Sequence, residues 1–510
     1  MDNDKKRRMK KKEDSNDNRN NKQNTIEYKD FFKYGEWNDI SILAVDSWNG
    51  YFNNRVVKKI LGNFLKIIQV WENDKKEIMY ISKSGEKEMA ELAKQKYLTN
   101  HRFFHKILDD YYSTRPKKIE RVREISQMSL KQLSNKELTS LFWETRELIG
   151  HFGAYDWVTF SFDNRILEAV DLADHIKEKP EEKNLILSLT VPEVILPTLA
   201  EDISIIKLAL QTKGMNEKDI QNRFSTELKK LVENFGWLSS LIFYPLKTES
   251  DYLQQIKRLH QNNNNNNNLQ EELEEKEHFL QDIDQKMRDY IQNYKPPQKV
   301  IDGINAVRKL SEIRAVGELD CIYSLTRCRN LDQEIQQRIN LSNKDYFNLY
   351  MNEVDKMLKG EEVTVDFEQR RKLDVCIRNE EGRFVQLDNG EEVYKQLKSL
   401  EKASTELKGM PGCPGKVTGK VKLIHSSQDI HNFNQGEILV AKATCVDYVM
   451  IMKKASAIVT EFGGITSHAA VVSRELGVPS VIGVKNVTSL LKDGDIIEVD
   501  ANSGFIKKIK

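Results

Sequence analysis

Residues 457–480 read AIVTEFGGITSHAAVVSRELGVPS, and this stretch decides the fold of the C-terminal part of the chain. Its first four residues are apolar or β-branched, as in a buried strand, and the Gly-Gly pair after them is typical of a turn. Helix-forming residues follow as far as Leu476, where Gly477 and Pro479 are the usual punctuation after a helix. The stretch therefore predicts a strand, a glycine turn and a short helix, in that order.

This pattern places His468 at or next to the N-terminus of the predicted helix. That end of a helix carries unpaired N–H groups and partial positive charge, so it favours an anion and disfavours a protonated imidazole. A neutral imidazole is a nucleophile, and the same N–H groups would hold a phosphoryl group attached to it. Gly463 and Gly464 let the backbone approach without side-chain obstruction. The local chemistry favours a histidine that carries phosphate; the alternative is an ordinary histidine after a turn.

The same stretch resembles the phosphohistidine signature of phosphoenolpyruvate-utilising enzymes, which include phosphoenolpyruvate synthase, pyruvate phosphate dikinase and rifampicin phosphotransferase. The resemblance covers residues 405–510, about a fifth of the chain, and so long a run of special residues is specific. In that family the matching histidine accepts and passes on a phosphoryl group from a small swivelling β/β/α domain. The blocks that carry the resemblance are 436–441, 454–460, 463–470, 474–479 and 493–500.

The resemblance implies that His468 is the catalytic residue, a covalent nucleophile. Backbone N–H groups after the glycines would form an anion cradle, and the hydroxyl residues would orient the ring or bind phosphoryl oxygens. The sequence shows no metal-ligand set, and we expect no cofactor in the chain itself; Mg²⁺ is implied together with the phosphoryl donor. The phosphate-binding candidates are Gly463, Gly464, Thr466, Ser467 and, on a different face of the helix, Arg474.

Length and composition exclude several classes of protein. The chain has 510 residues, which suggests two to four domains, and its net charge of +1 gives no overall attraction to nucleic acid or to an anionic membrane. No apolar stretch is long and uninterrupted enough to span a bilayer, and no signal peptide is recognised. Five scattered cysteines without a CxxC pair are typical of reduced thiols, so we expect a cytoplasmic protein.

The chain is predicted to be multidomain, with a large, mainly α-helical body followed by the C-terminal α/β swivelling domain. Charged and Asn-rich composition predicts disorder at the N-terminus, and a cluster of Gly and Pro marks the entry to the last domain. The predicted divisions are a tail at 1–25, a body at 26–400 that includes a helical hairpin at 249–294 with a poly-Asn tip at 262–268, a linker at about 361–404, and the phosphohistidine domain at 405–510.

Several sequence patterns in the predicted body indicate a local structure or a possible site. Apolar residues three and four apart over 60–71 predict a helix, and Ser134 with Glu137 predicts a capping box at the start of another. The aromatic segment 151–157 could line a pocket for a small acceptor, but a packed aromatic cluster at a helix junction is the interpretation we favour. His101 and His105 have a spacing that suits a metal, yet without a third ligand they indicate an ordinary helix surface.

Arginines recur between the predicted hairpin and the C-terminal domain. A guanidinium can hold phosphate through two parallel hydrogen bonds. The composition around them nonetheless favours solvated helix faces. The arginines in question are Arg308, Arg314, Arg327 and Arg329.

In the last domain short apolar runs alternate with turn residues, which predicts a compact α/β fold. The predicted strands lie at 419–425, 437–441, 457–459, 480–484, 495–499 and 505–509, and the predicted helices at 447–454, 467–476 and 487–491.

The multidomain relatives make their phosphohistidine with an attached ATP-grasp module and, in some, a phosphoenolpyruvate-binding barrel, neither of which is recognised here. We therefore expect a phosphotransferase component whose His468 is phosphorylated by a separate ATP-grasp or phosphoenolpyruvate-binding partner protein, and which passes the group to an unknown small-molecule acceptor on or near the helical body. The alternative is a non-catalytic scaffold or binding protein that retains a degenerate swivelling domain. Transfer to an antibiotic-like or metabolite acceptor is a third possibility, supported only by the aromatic segment.

Overall fold

The computed structural model of the chain describes residues 28–38, 41–49, 51–73, 76–239, 246–262, 266–379, 383–400, 407–425, 427–444 and 448–509. The tail predicted at 1–25 lies outside these residues, as do the centre of the asparagine run and residues 401–406 of the predicted linker. No helix in the described ranges is both long enough and apolar enough to cross a membrane.

Helices form most of the body, as predicted. They are α1 (Ile42–Asn49), α2 (Tyr51–Leu61), α3 (Lys83–Thr99), α4 (Phe103–Gln127), α5 (Asn135–Phe160), α6 (Ile166–Ala169), α7 (Ala173–Glu178), α8 (Lys183–Ser188), α9 (Pro197–Gln211), α10 (Glu217–Arg223), α11 (Ser225–Phe235), α12 (Glu249–Asn262), α13 (Asn266–Tyr294), α14 (Gln298–Arg327), α15 (Arg329–Arg338), α16 (Asn343–Tyr346), α17 (Met351–Leu358), α18 (Phe367–Lys372) and α19 (Gly390–Leu400).

The long helices α5 and α14 lie against each other at the centre of the body. Gly317 permits this close approach, because a Cβ atom there would lie 2.8 Å from the backbone nitrogen of Asp156. The capping box predicted at the start of α5 is present: the Ser134 hydroxyl accepts from the Glu137 N–H, and the Glu137 carboxylate accepts from the Ser134 N–H. Arg314 on α14 and Asp163, just after α5, contact Thr466 of the C-terminal domain.

A small antiparallel sheet also belongs to the body, and the helix predicted over 60–71 is wrong in its second half. Helix α2 ends at Leu61 and strand β2 begins at Ile67. Both faces of β2 are buried, so its apolar residues are consecutive and reproduce a helical spacing by coincidence. The sheet has the order β1-β3-β2-β4-β5, with β1 (Phe31–Asn38), β2 (Ile67–Glu72), β3 (Lys76–Ser82), β4 (Leu373–Arg378) and β5 (Phe384–Gln386).

The predicted hairpin at 249–294 consists of α12 and α13, with the asparagine run between and at the facing ends of the two helices. Its apolar stripe packs onto α9: Tyr252 and Ile256 share a buried cluster with Ile205, and Leu273 lies with Ile206. The hairpin is therefore packed on its own domain along this face.

The C-terminal part contains a seven-stranded mixed sheet of order β12-β11-β7-β8-β9-β10-β6. Strands β7 to β10 are parallel, and β8, β9 and β10 are buried on both faces, as is usual in parallel sheets. The elements are β6 (Met410–Cys413), β7 (Lys416–Ile424), β8 (Ile438–Ala441), α20 (Val449–Met452), β9 (Ala457–Thr460), α21 (His468–Leu476), β10 (Ser480–Ile482), α22 (Val487–Leu490), β11 (Ile496–Asp500) and β12 (Phe505–Lys508).

The strands and helices predicted for this domain are present within a few residues of their expected ends. Strand β6 was not predicted, because its residues lie in the cluster of Gly and Pro that looked like an entry loop. It pairs antiparallel with β10 at the edge of the sheet, the position in which proline is tolerated.

The C-terminal domain lies directly on the body. Ile465 and Val471, on either side of His468, belong to the main apolar cluster of the body. Ion pairs join the same two parts, one between Lys442 and Glu36. The carboxylate of Glu36 is buried, which by itself raises its pKa, but the ammonium groups of Lys33 and Lys442 outweigh burial and lower it to about 2. The face of the domain that carries His468 is therefore turned toward the body.

Candidate functional site

His468 is the first residue of α21 and follows the loop that leaves the carboxyl end of β9. Open parallel sheets bind ligands at this edge, where loops and helix N-termini converge. The Ser467 side chain caps the helix by accepting from the Ala470 N–H at 3.4 Å. Gly477, with φ of +65°, ends the helix in the left-handed conformation that favours glycine.

A side chain is disfavoured at Gly463 and at Gly464, for a different structural reason at each position. Gly463 has φ of +117°, and a Cβ there would lie 2.8 Å from the Ser467 hydroxyl, so a side chain is disfavoured twice. A Cβ on Gly464 would lie 2.4 Å from a carboxylate oxygen of Asp163, a residue of the body. Gly464 therefore makes room for the body; its contact with phosphate stays a prediction.

The His468 ring is held in one orientation. Its Nδ1 atom lies 3.0 Å from the Thr444 hydroxyl, and its Nε2 atom is buried without a hydrogen-bond partner among the described residues. Burial, and after it the charge of Arg314, lowers the pKa of His468 to about 4. The imidazole is consequently neutral at pH 7, with one nitrogen engaged and the other available.

A buried polar network joins the loop to the body at this point. The Thr466 hydroxyl donates to Asp163 Oδ1 at 2.5 Å and accepts from Arg314 Nη1 at 3.0 Å. Asp163 Oδ2 also accepts from the Tyr34 hydroxyl at 3.0 Å and pairs with Arg314 Nη1 at 2.9 Å. Burial alone raises the pKa of Asp163, but Arg314 and the hydroxyls bonded to it hold that pKa below its ordinary value. We call these four residues the docking cluster.

A small cavity of about 20 Å³, room for roughly one water molecule, lies between His468 and the body. Helix α14 lines it with Arg314 and Glu318, and Thr198 at the start of α9 lines it from another side. The Thr198 hydroxyl is buried without a partner among the described residues. Burial raises the pKa of Glu318 to about 7, and Asp156 adds to the effect. His468 Nε2 and Thr198 Oγ1 are thus buried polar atoms without hydrogen-bond partners among the described residues, and both residues line this cavity.

The other predicted phosphate ligands lie near His468 but have other partners here. Thr466 belongs to the docking cluster, and the Ser467 hydroxyl caps α21. Arg474 is buried and donates to the backbone carbonyls of Ile465 at 2.8 Å and Gly412 at 3.3 Å. Burial lowers the pKa of Arg474 to about 10. A phosphate contact for Arg474 stays a prediction, because these bonds tie the histidine loop to β6.

The interpretation of the arginines as solvated is wrong for two of them. Arg308 and Arg314 are buried, with exposed fractions of 6% and 8%. Arg308 pairs with Asp284 at 3.2 Å, and Arg314 reaches the histidine loop. Helical spacing could not distinguish them, since the elements that cover them come from distant parts of the sequence.

Sequence reasoning missed several residues around His468, because each comes from a separate element and no local motif marks it. The sequence near Asp163 contains only one weak signal, a polar turn directly after a long apolar helix. The missed residues are Tyr34, Asp163, Thr198, Glu318 and Thr444.

Of the remaining candidates, segment 151–157 contacts this site through Asp156, whose carboxylate lies 3.5 Å from Arg314 Nε. Segment 151–157 is buried within α5, where Phe152 and Tyr155 pack on Tyr111, so it is a packed cluster but not a helix junction. The described part of the chain contains no group of three or more His, Cys, Asp or Glu residues that could hold a metal ion, and His101 is exposed.

The family described as "PEP-utilising enzyme, mobile domain" matches residues 433–504, which contain His468 and its loop. The C-terminal region of the chain is therefore a mobile domain of the phosphoenolpyruvate-utilising family. The helical body lies outside the residues that match this family.

Individual relatives match the same region. A probable phosphoenolpyruvate synthase of Archaeoglobus fulgidus is 46% identical over 121 residues, which are 22% of this chain and 16% of the relative. The phosphoenolpyruvate synthase of Pyrococcus furiosus is 43% identical over 118 residues, 23% of this chain and 14% of the relative. An uncharacterized phosphotransferase of Bacillus subtilis, YvkC, is 39% identical over 122 residues, 24% and 15% of the two chains. The chain thus covers about a sixth of the length of the curated relatives that it matches.

Proposed function

We propose that this chain, whose residues 433–504 belong to the mobile domains of phosphoenolpyruvate-utilising enzymes, is a phosphotransferase component that carries a phosphoryl group on His468. The observation that supports this most strongly is the state of the ring. His468 is neutral, is fixed at Nδ1 by Thr444, and presents an unpartnered Nε2 to a cavity lined by Arg314.

The chemistry assigned to His468 consists of two displacements. In the first, the Nε2 lone pair attacks the phosphorus of a donor, the bond from phosphorus to the leaving oxygen breaks, and that oxygen keeps the electron pair. In the second, an acceptor oxygen attacks the phosphorus, the P–N bond breaks and its electrons return to Nε2. The Thr444 hydroxyl would accept a hydrogen bond from Nδ1–H during both displacements. The reactive lone pair would therefore stay on Nε2.

Charge stabilisation would come from two sources on this chain. The N–H groups at the start of α21 point toward an anion on His468, and the Arg314 guanidinium faces the ring from the body. The described residues contain no group of three or more His, Cys, Asp or Glu that could hold a metal ion. The proposal assigns Mg²⁺ to the donor, and assigns the donor to a separate ATP-grasp or phosphoenolpyruvate-binding protein.

The close fit between the two parts of the chain implies a movement. The cavity beside His468 holds about one water molecule, which is less space than a phosphoryl group needs. The domain would therefore leave the body to be phosphorylated by the partner and would return to a slightly wider arrangement. The hydrogen bonds and the ion pair of the docking cluster would hold the C-terminal domain in place after it returns to the body.

A labelling and discharge experiment tests the carrier function. The purified protein is incubated with Mg²⁺ and ³²P-labelled ATP or phosphoenolpyruvate, with and without a lysate of the source cells, and re-isolated. The proposal predicts a label that is lost in acid, survives base and disappears on a second incubation with unlabelled lysate. A protein that takes up no label under any condition would favour the alternative of a scaffold with a degenerate swivelling domain.

A further inference from the structure

A second cavity lies in the body, on the face of α14 that also borders His468. Its volume is about 370 Å³, within the range of small-molecule sites. Aromatic residues line it, and the Trp237 ring meets Tyr323 edge to face, with centroids 5.3 Å apart. Arg115, Arg123 and Arg327 also border the space. We call it the arginine cavity.

Three arginines and two acidic residues, Asp320 and Glu233, line the arginine cavity, which leaves a surplus of one positive charge. Arg115 is neutralised by Asp320, which it binds at 2.5 and 2.8 Å. Arg327 donates to the backbone carbonyl of Glu233 at 2.7 Å and lies over the Tyr323 ring, while its Nε is buried without a partner among the described residues. Arg123 makes only long contacts, 3.4 Å each, to Tyr323 and to the exposed Glu120. The residues suit a planar aromatic ring that carries an anionic group.

The arginine cavity and the cavity beside His468 border the same helix, α14. Ala315 and Leu319 line the smaller cavity, and Tyr323 and Arg327 line the larger one. These four residues follow one another at intervals of four, so they share one face of α14, and each step advances by about 6 Å. The start of α9 borders both cavities in the same way, with Thr198 on one side and Pro197 on the other.

We propose that the arginine cavity binds the phosphoryl acceptor, a hydroxylated aromatic molecule with an anionic group. This inference rests on the proposed function of His468. The acceptor hydroxyl would extend along α14 toward Nε2, its oxygen would attack the phosphorus, and the P–N bond would break with its electrons returning to Nε2. The hydroxyl proton would pass to Glu318, which lines the cavity that contains the ring.

Binding of 6-hydroxy-2-naphthoate, a fluorescent probe of this class, tests the inference on the full-length protein. The wild-type protein should bind it saturably below about 1 mM, and Trp237→Leu and Arg123→Gln should each weaken binding about tenfold. Arg121→Gln is the matched control, because Arg121 lies on the same helix α4 but pairs with Glu144 away from the cavity. It should bind within about twofold of wild type. Circular dichroism confirms that each variant is folded.

Two further measurements separate this inference from the proposed function. His468→Ala should bind the probe as wild type does, since the cavity does not include the ring. 2-Naphthol, which lacks the carboxylate, should bind at least about tenfold more weakly than the probe. Absent binding, binding unchanged in both cavity variants, or equal binding of 2-naphthol would overturn the inference even if His468 is phosphorylated. Binding as expected with no phosphorylation of His468 would overturn the acceptor role together with the proposed function.

Discussion

The body contains two buried centres of the same composition, and only one of them touches the C-terminal domain. In the first, Arg146 and the Tyr346 hydroxyl both bond to Asp332, and the guanidinium lies 4.7 Å from the Phe142 ring. We call it the inner cluster. In the docking cluster, Arg314 and Tyr34 bond to Asp163, and the guanidinium lies 5.7 Å from the Phe160 ring.

The clusters differ in two ways: Arg314 has a second carboxylate partner, Asp156 at 3.5 Å, and only the docking cluster has a partner in the C-terminal domain. Asp332 and its partners lie wholly within the body, whereas Asp163 and Arg314 extend to Thr466 in the loop before His468. Similar chemistry thus stabilises the fold in one place and fixes the position of a separate domain in the other. Matched substitutions in the two clusters should therefore separate stability from phosphoryl transfer.

The largest effect on stability is expected for Arg146→Met in the inner cluster. Arg146 is 1% exposed, and its removal leaves the buried Asp332 carboxylate without the guanidinium that pairs with it. Loss of one partner of a buried pair typically costs about 3–5 kcal/mol in the free energy of unfolding. Urea denaturation followed by circular dichroism measures this, and the folded fraction should still label at His468. A change below about 1 kcal/mol would mean that the pair contributes little.

Arg314→Met is the matched change in the docking cluster. Asp163 can become hydrated when the C-terminal domain lifts, so we expect a smaller loss, about 2 kcal/mol, in the free energy of unfolding. Transfer from phosphorylated His468 to an acceptor should fall about a hundredfold, the usual cost of removing one charged donor from a phosphoryl site. A single-turnover discharge assay compares it with Arg146→Met. Equal discharge rates in the two variants would contradict a role for Arg314 in transfer.

Thr466→Val should have an intermediate effect that is confined to docking. The change removes two hydrogen bonds, the one that Thr466 donates to Asp163 and the one that it accepts from Arg314. The bonds from Arg314 and Tyr34 to Asp163 remain, so the expected loss in the free energy of unfolding is about 1–2 kcal/mol. Hydrogen exchange in residues 461–467 should accelerate. Thr145→Val is the control: its hydroxyl is buried in α5, where it donates to the Leu141 carbonyl, and its loss should leave exchange in that loop unchanged. Acceleration in both variants would indicate general loosening.

The smallest effect is the contribution of His468 to the pH dependence of stability. Burial, then Arg314, lowers its pKa in the folded state to about 4, whereas an unfolded imidazole has a pKa of about 6.5. Between these values the unfolded chain binds more protons, so His468 destabilises the protein progressively as the pH falls from about 6.5 to about 4. The free energy of unfolding should therefore decrease less steeply with falling pH in His468→Asn than in wild type. Parallel curves would mean that the ring is not desolvated.

The C-terminal domain was predictable because its signals are local. Gly477 ends α21 and short apolar runs form β8 and β9, so neighbouring residues in the sequence were sufficient. The helix-terminal position of His468 followed from the same punctuation. Strand β6 was the exception, since proline and glycine at a sheet edge look like a loop.

The surroundings of His468 were not predictable, because they depend on contacts between distant residues. Asp163 and Thr466 are separated by 303 positions, and Arg314 and Thr466 by 152. Helical periodicity in the sequence does not distinguish the buried Arg314 from Arg329. In the small sheet, β2 is buried on both faces and therefore lost the alternation that would have distinguished it from a helix.

Mass spectrometry of the intact protein tests the central claim most directly. Wild type, His468→Ala and Arg146→Met are incubated with Mg²⁺ and ATP or phosphoenolpyruvate, with and without lysate of the source cells. The account predicts one acid-labile phosphoryl group on wild type and on the folded fraction of Arg146→Met, and none on His468→Ala. Phosphorylation of His468→Ala to the wild-type extent, or no addition to wild type under any condition, would contradict it.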